Sequence, residues 1–219
     1  TSKGGTGSMA LLNPGAPDVN SALLEAVASG ADTILLNLPA GLGLAVLKAA
    51  QEQDLGDSYI WIAPTPLYDL SVPDAVGEYW HGKIYVNAEL APLNVGGPDA
   101  QNWLAVLDAY GKADDPRDTF SQAGYLSAQF FVKAMLEMDP AKLDDRAAVT
   151  AQIKSIKGYD SDLMCGPYYV GDAEFHMPNH AGYMVKVVAG GFEVVRECYE
   201  YDSAYFDRHK AIETELGLR

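Results

Sequence analysis

The chain has few basic residues and no long apolar run, and both absences narrow the range of partners. Only 15 of its 219 residues are Lys or Arg, against 30 Asp or Glu, which gives a formal net charge of −15 at pH 7. Nucleic acids and anionic membranes bind clustered positive charge, and no basic cluster is present. No apolar run is long enough to span a bilayer, and residues 1–7 lack the apolar segment of a signal peptide, which leaves export open. The sequence therefore predicts no nucleic-acid partner.

Patterns that mark catalysis or metal binding are also missing. The four histidines show no ligand spacing, and no Gly-x-Ser-x-Gly nucleophile motif occurs. Neither cysteine has a histidine close enough in sequence to argue for a reactive thiolate. The glycines Gly41 and Gly43 match neither the Walker nor the dinucleotide pattern, so they favour a helix start. The sequence predicts a protein that is not an enzyme and that carries no metal or cofactor.

The chain has two cysteines, Cys165 and Cys198, which flank a predicted hairpin. One disulfide formed outside the cytoplasm fits this pair, and two buried free thiols fit it equally well. A bond between them would favour an exported protein over a cytoplasmic one.

Residues 31–68 carry the pattern of a βαβ unit. Two short apolar runs at 33–38 and 58–63 flank a segment of helical length at 42–53, which is typical of a parallel sheet in an α/β fold. A proline follows each run, Pro39 after the first and Pro64 after the second. In open α/β sheets ligands bind at the carboxyl ends of strands, so the two loops that follow these runs are the expected binding region.

The rest of the chain predicts further strands and helices around this unit. Strands are expected at 9–12, 83–88 and 166–170, a loop at 176–182, and a hairpin at 183–196 turned at Gly190. Helices are expected at 18–29, 72–79, 98–110, 119–137, 144–156 and 203–216. The composition shifts at Ala91, where proline and glycine become frequent, and we expect three parts at 1–91, 92–165 and 166–219.

Several segments, taken in order, resemble one known family. They are 17–23, 29–34, 125–136, 165–167, 179–180 and 190–192. Together they resemble periplasmic solute-binding proteins of the leucine/isoleucine/valine-binding type, from Met9 onward. The resemblance implies an α/β fold of the type I periplasmic-binding-protein kind, with a parallel-sheet lobe of three layers and a closing C-terminal hairpin.

The resemblance also implies a function and an incomplete chain. Members of the family capture a small solute between two lobes outside the cytoplasm and deliver it to the membrane permease of an ABC importer. The opening lobe has no counterpart here, so we expect a fragment whose helices at 98–157 pack against a missing N-terminal lobe or a complementary chain. The alternative is a cytoplasmic ligand-sensing or regulatory domain of the same fold, although no DNA-binding or signalling module is visible. An α/β hydrolase or transferase, a third possibility, would need a nucleophile and a base, and neither can be placed.

The expected ligand-binding residues lie in three groups. They are Asn37, Leu38 and Pro39 after the first strand, Thr65, Pro66 and Tyr68 after the second, and Gln122 and Tyr125 in the long helix. Each has a structural alternative: Asn37 suits a turn, while Tyr68 and Tyr125 suit the core. In amino-acid-binding relatives an acidic side chain holds the ligand's ammonium group, and the matching position here is Thr65. A carboxylate, an amide or an aromatic acid is therefore at least as well supported as an α-amino acid.

Overall fold

A computed structural model describes residues 5–93, 96–169, 181–201 and 204–218. These residues form one sheet with the strand order β1-β2-β3-β4-β5. The strands are β1 (Thr33–Leu35), β2 (Ile60–Ala63), β3 (Ile84–Ala88), β4 (Ala181–Val188) and β5 (Gly191–Glu200). β1, β2 and β3 are parallel neighbours, with Ile34 opposite Trp61 and Trp61 opposite Ile84. β4 and β5 form the predicted hairpin, which turns at Gly190 with φ +73°.

The described helices alternate with the first strands and then follow one another. They are α1 (Val19–Ala28), α2 (Ala40–Glu52), α3 (Val72–Val76), α4 (Pro98–Tyr110), α5 (Thr119–Leu136), α6 (Arg146–Ser155) and α7 (Asp207–Glu215). Asp18 caps α1, and its side chain accepts a hydrogen bond from the N–H of Ser21 at 3.0 Å. Within the described part of the chain, no helix is long and apolar enough to cross a membrane.

The chain divides into two compact units. The first comprises the described residues up to Asn87 together with Met184–Val195, and the second comprises those within Ala88–Tyr183 and Arg196–Arg219. In the first unit, Trp61 and Trp80 are almost fully buried and meet edge to face, with their ring centroids 5.1 Å apart.

The second unit has its own core and an exposed apolar surface. Phe130 packs edge to face on both Tyr159 and Tyr168, next to Ala134 and Ile156. Large side chains of α4 and α5 remain exposed; they are Val106, Tyr110, Phe120, Phe131, Val132 and Leu136.

Several predicted elements differ from the structure. Residues 9–12 form no strand, because the described sheet offers them no ladder partner, and Met9 and Leu11 lie exposed. β1 ends at Leu35 because the N–H groups of Asn37 and Leu38 turn back to the carbonyls of Leu35 and Leu36.

Two further predictions were too long. The helix expected at 72–79 stops at Val76, since Gly77 has φ +77° and a 3-10 turn, Glu78–Trp80, follows. A strand was expected at 166–170, but the described residues of this segment form only one bridge, between Tyr168 and Tyr159. Val170 and the loop residues 176–180 lie outside the described residues, and residues 181–182 begin β4.

Candidate functional site

The loops after β1 and β2 lie side by side at one edge of the sheet in the first unit. β1 and β2 are adjacent and parallel, with Leu35 opposite Ile62, so their carboxyl ends face the same edge. The N–H of Leu36 donates to the carbonyl of Ile62 at 2.8 Å and extends the pairing by one residue. The structure therefore places the Asn37 loop next to the loop that begins at Pro64.

The loop after β1 exposes the side-chain amide of Asn37. Asn37 and Pro39 are exposed and Leu38 is half-buried. The Asn37 side chain makes no hydrogen bond to any residue that the structure describes. Pro39 then caps α2, and the N–H of Gly43 donates to the Pro39 carbonyl at 2.9 Å, which is the first hydrogen bond of that helix. The amide of Asn37 is thus free to donate to, or accept from, a bound molecule.

The loop after β2 is partly exposed and partly core. Thr65 and Pro66 are half-buried, and the hydroxyl of Thr65 donates to the carbonyl of Asn87 at 3.4 Å. Tyr68 is fully buried, and its ring meets Phe192 edge to face at 4.8 Å between centroids. For Tyr68 the structure has the core position that the sequence left as the alternative.

Neither loop contains an ionisable side chain near the strand ends. Residues 36–42 read Leu-Asn-Leu-Pro-Ala-Gly-Leu, and residues 63–67 read Ala-Pro-Thr-Pro-Leu. Any contact from these segments would use an amide, a hydroxyl, a backbone group or an apolar surface. Within the described residues, no group of three His, Cys, Asp or Glu side chains is placed to hold a metal ion.

Gln122 and Tyr125 lie on α5 in the second unit. Gln122 is fully buried, its Nε2 donates to the carbonyl of Ala91 at 3.4 Å, and its Oε1 has no partner in the described part of the chain. Tyr125 is half-buried, and burial, followed by the carboxylates of Asp99 and Asp162, raises its pKa. That these two residues share a site with the strand-end loops stays a prediction.

The second unit also holds a polar network that the sequence did not reveal. Asp162 accepts from the N–H groups of Asp99 and Ala100 at 3.0 and 3.2 Å, and so caps α4 from a distant loop. Asp99 in turn accepts from Ser161 Oγ at 2.6 Å and from Gln129 Nε2 at 2.8 Å. Capping signals are local in sequence, so a cap supplied from 63 residues away leaves no such signal.

A cavity of about 760 Å³ in the second unit lies beside this network. Its walls include Asp99, Gln129, Lys133, Glu137, Lys157 and Tyr159. None of the predicted site residues lines it.

The structure also joins Cys165 and Cys198 in a disulfide, with their Cα atoms 5.0 Å apart, and both residues lie in the second unit.

The chain is similar to known proteins in sequence and in fold. The model of a family described as "periplasmic binding protein" matches residues 1–191. The comparison with curated proteins found no significant match.

The fold is similar to that of several solved binding proteins. An ABC transporter substrate-binding protein from Aeropyrum pernix has a TM-score of 0.73 and 14% identity over 88% of this chain and 50% of its own. A branched-chain amino acid ABC transporter protein from Thermus thermophilus, solved with bound valine, has a TM-score of 0.69 and 16% identity over 88% of this chain and 52% of its own. A fatty acid ABC transporter substrate-binding protein from Thermomonospora curvata has a TM-score of 0.68 and 18% identity over 84% and 47%. The chain spans about half the length of these structures.

Proposed function

Because the chain belongs to the periplasmic binding protein family, we propose that it is an extracytoplasmic solute-binding protein, or part of one. It captures a small polar organic solute and delivers it to the membrane permease of an ABC importer. The single observation that carries this proposal is the adjacency of two strand-end loops. β1 and β2 are parallel neighbours, and the exposed amide of Asn37 stands at the edge where ligands bind in open α/β sheets.

The chemistry of the two loops favours a ligand that is held here by hydrogen bonds and apolar contact. Residues 36–42 and 63–67 carry no charge, so they offer no ion pair to an ammonium or carboxylate group. Thr65 occupies the position where the resemblance places the acidic residue of amino-acid-binding relatives. A carboxylate, amide or aromatic acid is therefore at least as well supported as an α-amino acid. A charged group on the ligand would be bound by residues outside these two segments.

The disulfide supports a location outside the cytoplasm. Structural disulfides persist in oxidising compartments and are rare in the reducing cytosol. The pair Cys165–Cys198 is bonded in the structure, which favours the exported protein over a cytoplasmic sensor of the same fold.

The exposed apolar side chains of α4 and α5 support a partner surface in the complete protein. Phe120, Val132 and Leu136 are each more than half exposed, and Tyr110 is 88% exposed. Large exposed patches of apolar groups mark interaction surfaces. We propose that these helix faces pack against a first lobe or a complementary chain, as the length of the matched structures suggests.

Thermal-shift screening of the full-length protein tests the proposal. Panels of amino acids, aromatic acids, aliphatic carboxylates and amides are added at increasing concentration. A solute that binds only the folded state raises the apparent stability by about 2.7 kcal/mol at one hundred times its Kd. We expect one chemical class to raise Tm in a saturable way, whereas a flat response to every class would contradict the proposal.

A further inference from the structure

The chain passes between its two units at three places. These crossings follow Asn87, Tyr183 and Val195. On the second-unit side, the first crossing leads to Leu90 and Ala91, and the third leads to Cys198 within β5. Contacts within the second unit connect these residues to one another.

Three contacts hold the first crossing. Leu90 forms an antiparallel bridge with Met164, and the N–H of Ala91 donates to the carbonyl of Leu163 at 2.9 Å. The carbonyl of Ala91 accepts from Nε2 of Gln122. Gln122 is fully buried, so water does not compete for this last bond. Both backbone polar groups of Ala91, its N–H and its carbonyl, are therefore fixed inside the second unit.

The third crossing is tied to the same place by a covalent bond. Cys198, on β5, forms a disulfide with Cys165, which directly follows Met164. Residues 163–165, called the tie segment, thus carry the backbone contacts to the first crossing and the disulfide to the third.

The second crossing approaches this assembly closely. A Cβ built on Gly182 would lie 3.1 Å from the carbonyl oxygen of Ala88 and 2.6 Å from the hydroxyl of Tyr201. A side chain at position 182 would therefore crowd the Tyr201 hydroxyl and press on the Ala88 carbonyl. All three crossings therefore meet tight contacts within a few residues of entering or leaving the second unit.

We propose that the tie segment, the disulfide and Gln122 form a clamp that makes the second-unit ends of the crossings one rigid block. The disulfide restricts how far β5 can move from the tie segment, and the bonds at Ala91 restrict the first crossing in the same way. Backbone flexing at the crossings is then confined to their first-unit side, from Asn87 and Val195 outward. Gln122 acts as a positioning residue in this clamp.

Hydrogen exchange of the full chain, followed by mass spectrometry, tests the clamp. In the double variant Cys165→Ser/Cys198→Ser, we expect amide exchange in residues 88–93 and 196–201 to become at least about tenfold faster, because a covalent bond no longer restricts local opening of these segments. Exchange in β1 and β2 should change by less than about threefold, because these strands belong to the other unit.

The variant Gln122→Leu separates the two halves of the clamp. It removes the donor to Ala91 and puts an apolar side chain of similar size in the same buried space, so we expect faster exchange in 88–93 and little change in 196–201. Unchanged protection of 88–93 in both variants would overturn the proposal. An equal loss of protection in both units would also overturn it, because that result describes general destabilisation.

If the double variant does not fold, the wild-type chain is compared before and after reduction with a phosphine at neutral pH. Faster exchange that is limited to 88–93 and 196–201 supports the clamp. No change, or a uniform loss that reaches β1 and β2, contradicts it.

Discussion

At the scale of single residues, side-chain exposure distinguishes a candidate binding residue from a core residue in two neighbouring loops. Asn37 is exposed and its amide makes no hydrogen bond to the described residues, whereas Tyr68 is buried against Phe192. The local sequence offered both readings for each of them. Tyr68 is buried by contact with Phe192 of β5, which lies far along the chain, and no local pattern encodes that contact. The Asp18 cap, by contrast, joins residues only three apart in sequence, so a local pattern can encode it.

Asp162 gives a test at this scale. Its carboxylate accepts the N–H groups of Asp99 and Ala100 at the start of α4. The substitution Asp162→Ala leaves these groups without their partner, and we expect it to lower the free energy of unfolding by about 1–2 kcal/mol. Urea denaturation followed by circular dichroism measures this loss.

The matched control is Asp160→Ala, which removes an exposed carboxylate from the same loop. A surface change of this kind should stay within about 0.5 kcal/mol of wild type. Equal losses in the two variants would contradict the role given to Asp162.

At the scale of elements, the long periodic helices α4 and α5 were predicted well, whereas several shorter elements were not. α4 begins and ends where its proline and apolar spacing predict, and α5 differs by one residue at its end. β1 is shorter than its apolar run because the backbone turns back at Asn37 and Leu38. The strand expected at 9–12 failed for another reason: a strand needs a neighbour, and the sequence of one segment does not show whether a neighbour is present.

Two tyrosines packed near α5 and α6, Tyr159 and Tyr168, lead us to expect a loss of stability at high pH. Burial, and then the carboxylate of Asp99, raises the pKa of Tyr159, and burial raises that of Tyr168. The unfolded chain therefore loses these phenol protons first as the pH rises. The free energy of unfolding should be insensitive to these groups below the ordinary tyrosine pKa of about 10, and should fall above it.

Urea denaturation at a series of pH values from about 8 to 11 measures this slope. Tyr159→Phe removes one of the groups and should make the slope less steep. Tyr110→Phe removes a hydroxyl from an exposed ring and serves as the matched control. A slope in Tyr159→Phe that is as steep as in the control, or steeper, would contradict the assignment.

At the scale of the whole molecule, the fold class is confirmed. The described chain is a mixed α/β structure whose open sheet is mostly parallel, and the solved binding proteins share this type I periplasmic-binding-protein fold. The pattern of apolar runs, helices and prolines predicted an α/β fold with a parallel sheet, and the resemblance to solute-binding proteins implied the type I fold. The identity of the solute could not be predicted in the same way, since it depends on a few side chains brought together by the whole fold.

The central claim is that the ends of β1 and β2 form a wall of the solute site. Isothermal titration of the full-length protein tests it most directly, with the solute identified by thermal shift. Asn37→Ala removes the exposed amide of the first loop, and Asn20→Ala removes an exposed amide from α1 as the matched control. We predict that Asn37→Ala weakens binding by about five- to tenfold, the value of one hydrogen bond, and that the control binds like wild type. Wild-type affinity in Asn37→Ala, or equal weakening in both variants, would contradict the claim.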